Sequence, residues 1–189
     1  MPRLILLNGA PATGKSTLAE RYLADHPMAL NLDIDRLRRW LGRWKDDPGA
    51  AGLRARAIAL AGARDHLTAG FDVVVPQLLG RTEFIEQLEA TAAEAGARFH
   101  EIYLEDSVEN ALRRFAARTE AAADPVHADA HVLLPDGEAT LRRMHEAVEA
   151  MKAKRPQAIG VKTIPGDVER TYAALLDAVN RAHIQDREC

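Results

Sequence analysis

The 189 residues suffice for one ordinary domain with a substantial core and are too few for two large lobes. With 47% apolar and 28% charged residues, the chain has enough hydrophobic material to fold, which excludes disorder as the default. A formal charge of −3, from 25 basic against 28 acidic residues, gives no global attraction to a polyanion, so an anionic ligand has to be met by a local patch.

The opening apolar run is too short for a secretion signal, and no other stretch is long and apolar enough to span a bilayer. The single cysteine, Cys189, allows neither an internal disulfide nor a thiolate cluster, so a cytoplasmic setting without membrane contact is expected.

In chain order, Arg3 to Leu7 reads as a strand buried on both faces, ending in Asn8-Gly9. Leu18, Tyr22 and Leu23 then recur at helical spacing, and Asp25-His26-Pro27 stops that helix. Met28 to Leu32 predicts a second strand. Asp35 to Trp44 predicts a basic helix ahead of the breakers Asp46-Asp47-Pro48-Gly49. Leu53, Ala57, Leu60 and Leu67 mark a longer helix ending near Gly70, and Phe71 to Val75 is a β-branched third strand closed by Pro76.

Thr82 is a candidate cap for a helix carrying Phe84, Ile85, Leu88 and Ala92 inward, with Gly96 at its end. Arg98 to Leu104 alternates as a fourth strand. Ser107 can cap the next helix, which buries Leu112 and Phe115 and sets Arg114 and Arg118 one turn apart. Thr119 to Gly137 lacks periodicity and reads as a loop or flap. Leu141, Met144, Val148 and Met151 define another helix, Ala158 to Ile164 a fifth strand, and Val168, Tyr172, Leu175 and Val179 a closing helix. Such alternation implies a three-layer α/β fold: a five-stranded, mainly parallel sheet with helices on both faces and ligands at the carboxyl ends of the strands.

Gly9-Ala10-Pro11-Ala12-Thr13-Gly14-Lys15-Ser16 matches GxxxxGK[ST] in full, between a predicted strand and a predicted helix. The glycines permit curvature that aims successive amides at phosphate oxygens, and the helix start adds partial positive charge. Gly9, Ala12, Thr13, Gly14 and Lys15 are therefore candidates to hold the phosphates of ATP, with Ser16 on Mg²⁺ and Thr17 near the α phosphate.

Asn31 to Arg38 places Asp33, Asp35 and Arg38 where the second strand gives way to a helix, at the same sheet edge. Asp35 is the candidate base that would orient an acceptor hydroxyl and take its proton, and Arg38 would hold the acceptor or the transferring phosphoryl group. Asp33 is the alternative base, or a holder of Mg²⁺-bound water. The plainer alternative is that Asp35 caps the helix.

These residues resemble the P-loop kinases grouped around phage polynucleotide kinase, chloramphenicol phosphotransferase and the zeta-toxin kinases. The likeness is carried by the loop Gly9 to Ser16 and by Asp35-Arg36-Leu37-Arg38, which matches that group's D-x-x-R element. The resemblance implies an AAA-type P-loop kinase-like fold over 1–189 with a lid at about 114–137. It also implies ATP with Mg²⁺, Asp35 as base, Arg38 as a substrate contact, and Arg114 and Arg118 as lid arginines stabilising transferred charge.

Gln77 and Arg81 follow the third strand and are candidate acceptor contacts. The aspartate that many P-loop proteins carry there for Mg²⁺ is replaced by Val73-Val74-Val75-Pro76-Gln77, while Asp72 begins the strand at the opposite end. This makes Asp33 the candidate second metal partner and argues against a GTPase, as does the absence of an NKxD sequence. Trp40 and Trp44, among Arg36, Arg38, Arg39, Arg43 and Lys45, could stack a base, but the favoured reading buries Leu37, Trp40, Leu41 and Trp44 as one stripe. His127 and His131 lack a clear third ligand and read as lid loop rather than metal site.

The expected activity is transfer of the γ-phosphate of ATP to a hydroxyl of a small molecule, such as a nucleoside-like compound or an antibiotic. A 5′-hydroxyl polynucleotide kinase, favoured by the tryptophan-bearing basic helix and disfavoured by the acidic net charge, and a non-catalytic ATP-binding regulator are the alternatives.

Overall fold

The computed structural model describes residues 1–121 and 137–185. Its five strands are β1 (Arg3–Asn8), β2 (Leu30–Asn31), β3 (Val73–Pro76), β4 (Arg98–Glu105) and β5 (Ile159–Lys162). They form one sheet in the order β2-β3-β1-β4-β5, and every pairing is parallel. The helices among the described residues are α1 (Lys15–Asp25), α2 (Ile34–Arg39), α3 (Pro48–Thr68), α4 (Thr82–Glu94), α5 (Val108–Ala121), α6 (Gly137–Ala153) and α7 (Val168–Gln185).

The unbroken apolar run of β1 has a direct cause. Leu4 and Leu6 pack with α3, α4 and α6 on one face, while Ile5 and Leu7 pack with α1 and α7 on the other. Both faces are covered, so a parallel strand shows no polar alternation. The β3 valines divide in the same way, Val73 and Val75 to one side and Val74 to the other. Asp72, ahead of β3, accepts from the Arg3 amide at 2.8 Å and from the Tyr22 hydroxyl at 2.7 Å, which ties it to the amino-terminal end of the sheet.

Several local expectations are corrected. The buried ridge of α3 is Ala51, Ala55, Ala59, Ala63 and Leu67, spaced four residues apart, and Leu53 points outward at 66% exposure. Small side chains let this helix lie close over the sheet. The basic helix stops at Arg39, and Trp40 is 78% exposed, so the proposed stripe through Trp40 is not buried. Residue 81, not Thr82, is the N-cap of α4, without a side-chain bond. His145, not Met144, completes the inner face of α6 with Leu141, Val148 and Met151, and burial lowers the His145 pKa. β4 does not alternate toward solvent. Its His100 and Glu101 are buried, and Glu101 is paired with Arg155 at 2.8 Å. Helix α5 continues past Thr119 to Ala121, while 122–136, most of the expected lid with His127 and His131, lie outside the described residues.

Candidate active site

At the carboxyl edge of the sheet, the loop from Gly9 to Gly14 turns sharply enough to need unusual backbone. Gly14 adopts φ 94° and Ala12 φ 63°, the left-handed region that disfavours a side chain. At Gly9 a Cβ would approach the Thr13 Oγ1 to 2.9 Å and the Leu104 carbonyl to 3.1 Å, so bulk as well as torsion excludes other residues. Buried Thr13 closes the loop by donating to the Ala10 carbonyl at 2.9 Å. The Lys15 ammonium lies in the loop's concavity, donating to the Gly9 and Ala10 carbonyls at 2.8 Å each.

Helix α1 begins directly after Gly14 with no side-chain cap, so its first amides face the loop's concavity. Ser16 is half-buried on the first turn of α1 and Thr17 is exposed beside it.

Asn8 was missed by the motif reading. It is fully buried, its Oδ1 accepts from the Gly9 amide at 2.8 Å and the Leu79 amide at 3.0 Å, and its Nδ2 donates to the Leu79 carbonyl at 3.2 Å. One amide side chain thus joins the start of the phosphate loop to the segment after β3. The available signal was a polar residue ending an otherwise apolar strand just before the first loop glycine.

Arg114 also meets the loop. Its Nε donates to the Ala12 carbonyl at 2.8 Å, and its guanidinium is ion-paired with the buried Asp106 carboxylate that follows β4. Asp106 additionally accepts from the Ser107 amide and from Asn110, while Ser107 caps α5 through the Asn110 amide as expected. The Arg118 side chain lies outside the described residues. Arg114, Thr13, Gly14 and Thr17 face Thr163 and Ile164 across a small cavity of about 130 Å³.

On the other side, Asp33 caps α2, accepting from the Asp35 and Arg36 amides at 3.0 and 3.1 Å. The cap is therefore Asp33, which leaves the Asp35 side chain for other contacts. Burial outweighs these hydrogen bonds and holds the Asp33 carboxyl above its ordinary pKa. Asp35 is half in solvent, paired with Arg38 at 3.1 Å and reached by the Gln77 amide at 3.4 Å. Gln77 itself is anchored by its backbone amide to the Leu7 carbonyl at 3.1 Å. The Arg38 guanidinium also lies 4.9 Å from the Trp44 ring centroid, so the pair Asp35–Arg38 is braced from two directions.

Beyond Arg38 opens a cleft of about 970 Å³ between α3 and α4, whose wall includes Leu53, Ala57, Leu60, Leu79 and Arg81. The loop at Gly9–Ser16 and the Asp35–Arg38 pair thus stand on two sides of one sheet edge, linked through Asn8, Leu79 and Gln77.

The residues present fit a hard divalent cation only in part. Ser16 offers a hydroxyl at the start of α1, the position from which such a group reaches a phosphate-bound Mg²⁺. Asp33 keeps one carboxylate oxygen on two amides and the other 3.5 Å from Arg36, so it suits an outer contact through water better than direct ligation. No group of three or more metal-binding side chains occurs among the described residues.

This arrangement of loop, sheet order and site defines a P-loop kinase-like domain. The chain belongs to the AAA domain family, whose profile matches residues 4–144. No curated protein matches it significantly. Among solved structures it is similar to a gluconokinase from Sinorhizobium meliloti 1021, with 17% identity and a TM-score of 0.61 over 97% of each chain. It is also similar to a chain of the Pnkp1/Rnl/Hen1 RNA repair complex, with 17% identity and a TM-score of 0.61 over 83% of this chain and 47% of that one. A tunicamycin resistance protein of Deinococcus radiodurans gives 13% identity and a TM-score of 0.58 over 95% of this chain and 96% of the other. At these identities the likeness is one of fold. Among the described residues, no helix is long and apolar enough to cross a membrane.

Proposed function

We propose that the protein is an ATP-dependent phosphotransferase that moves the γ-phosphate of ATP to a hydroxyl of a small-molecule acceptor, within one kinase domain closed by a lid at about 114–137. The observation that carries this reading is Asp35, freed from capping by Asp33 and held by Arg38 at 3.1 Å and Gln77 at 3.4 Å, beside the acceptor cleft. A P-loop alone supports nucleotide binding. A positioned carboxylate next to an open cleft supports transfer.

In this reading the amides of Gly9–Gly14 and the Lys15 ammonium hold the β and γ phosphates. Thr17 lies toward the α phosphate, and the nucleoside extends toward the cavity between Arg114 and Ile164. Ser16 would hold Mg²⁺, with Asp33 as an outer partner through water, and the ion would supply neutralisation of charge on the phosphates. Asp35 accepts the acceptor's hydroxyl proton as the new O–P bond forms and the bond to the β-phosphate oxygen breaks, releasing ADP. Arg38 steers the acceptor, and Arg114, with Arg118 from the end of α5, stabilises the charge in transit.

The test is transfer from γ-labelled ATP to a panel of nucleosides, phenicol and amino-sugar antibiotics, hydroxy acids and oligonucleotides with free 5′ ends. Label on an alcohol, abolished in Asp35→Asn, is the expected result. Label appearing solely as free phosphate across a panel to which the protein nevertheless binds counts against transfer. A second reading, 5′-hydroxyl polynucleotide phosphorylation, is favoured by one feature, the exposed Trp40 beside the basic segment that ends in Lys45. Trp40→Ala reducing label on oligonucleotides but not on small alcohols would support it.

A further inference from the structure

The cleft beyond Arg38 has a chemistry that narrows its occupant. We infer that the acceptor is an alcohol carrying a carboxylate or a phosphate monoester on an apolar framework; this rests on the phosphotransferase reading above and names its substrate class. At about 970 Å³ the cleft accommodates a compound larger than a simple sugar.

One wall is the outward face of α3. Leu53 is 66% exposed, Ala57 is exposed and Leu60 is half-buried, one above the next along the helix. Phe84 from α4 is buried at the opposite side. A fully hydroxylated acceptor would leave this surface unmatched, whereas an apolar framework removes it from water.

The charge in the cleft is as specific as its apolar wall. Its lining carries three guanidinium groups, Arg38, Arg56 and Arg81, against one carboxylate, Glu83. Arg38 is committed to Asp35 at 3.1 Å. Arg56 lies over the Phe84 ring at 5.6 Å, and neither it nor Arg81 is ion-paired with another described residue. Two guanidinium groups against one carboxylate leave the cleft positive, next to apolar walls that strengthen any contact with an anion. Amino-sugar acceptors, which are cationic, meet the same surplus as repulsion.

Four matched probes separate these properties: 6-(hydroxymethyl)naphthalene-2-carboxylate, the corresponding 2-phosphate ester, the 2-carboxamide and the 2-methylammonium compound. Each is titrated calorimetrically into the full-length protein. The carboxylate or the phosphate, whichever matches the natural acceptor better, should bind about tenfold tighter than the carboxamide, with the ammonium weakest. Arg56→Gln and Arg81→Gln should each lower anion affinity more than carboxamide affinity, and the double variant should erase most of the preference, while ATP affinity stays unchanged. Equal binding of all four, preference for the ammonium, no binding of any, or an anion preference that survives in the double variant overturns the inference. Label transfer in the same mixtures answers the separate question. Anion selectivity without Asp35-dependent transfer supports the cleft chemistry and removes the phosphotransferase reading. Transfer to the carboxamide or ammonium alcohol in place of the anions supports that reading and overturns this inference.

Discussion

The phosphate loop and the cleft between α3 and α4 are built on opposite principles. The loop is made of backbone: its curvature comes from Gly9, Ala12 and Gly14, its closure from Thr13, and its charge from one lysine and a helix start. The cleft is made of side chains drawn from α2, α3, α4 and the segment after β3. Backbone recognition is indifferent to what lies outside the loop, so it can be shared across many activities, whereas a side-chain cleft is particular to its ligand.

The contrast predicts that the two sides fail separately. The largest effect is expected from Asp35→Asn, which should lower kcat by roughly 10²–10⁴-fold while ATP affinity, measured by calorimetry, stays near wild type. A proportionate loss of ATP binding would mean that the two sides are not independent. Next comes Lys15→Ala, which removes a charge-assisted contact and should weaken ATP binding by about 10–150-fold with thermal stability little changed. Tight ATP binding by that variant would remove the lysine from the phosphate site.

Leu53→Ser should raise the acceptor KM by about tenfold, in keeping with loss of one apolar contact, without shifting Tm, because the side chain is already exposed. A drop in Tm with unchanged KM would return Leu53 to the core.

The smallest effects concern Asp33. Replacing it with Ala should destabilise the fold by about 1 kcal/mol through loss of the α2 cap, whereas Asn, an equally good cap, should not. Burial raises the folded-state pKa of Asp33, so between the ordinary aspartate value and that raised value the folded chain binds more protons than the unfolded one. Wild type should therefore gain stability relative to Asp33→Asn as pH falls through this window, and lose the gain as pH rises, in paired denaturation curves. If Asp33→Asn also abolishes Mg²⁺-dependent transfer, the carboxylate serves the metal as well as the cap.

The same division explains what could be read from the sequence. The loop was legible because its backbone demands fix residue types at fixed spacing from Gly9 to Ser16. β1 and β3 were legible because both faces are covered and the apolar run is unbroken. Helix α3 was legible from the helical spacing of Leu53, Ala57, Leu60 and Leu67, of which Leu67 lies on the inner ridge and Leu60 packs partly against the core. Leu53, Ala57 and Leu60 line the cleft, while the rest of the inner ridge is alanine, too weak in hydropathy to stand out beside leucine. Trp40 looked like core because large aromatics usually are, and nothing local reveals that α2 ends one residue earlier. Asn8 acts through Leu79, seventy-one positions away, a contact that no local pattern encodes.

The alanine ridge of α3 has an evolutionary corollary. Because the buried ridge of the helix is Ala51, Ala55, Ala59, Ala63 and Leu67, the exposed Leu53 and Ala57 carry little of its packing against the sheet. Positions 53 and 57 can change without emptying the core, whereas Leu60 also packs against it, so the wall of the cleft can be altered by point mutation on one helical surface while the fold and the phosphate loop stay as they are.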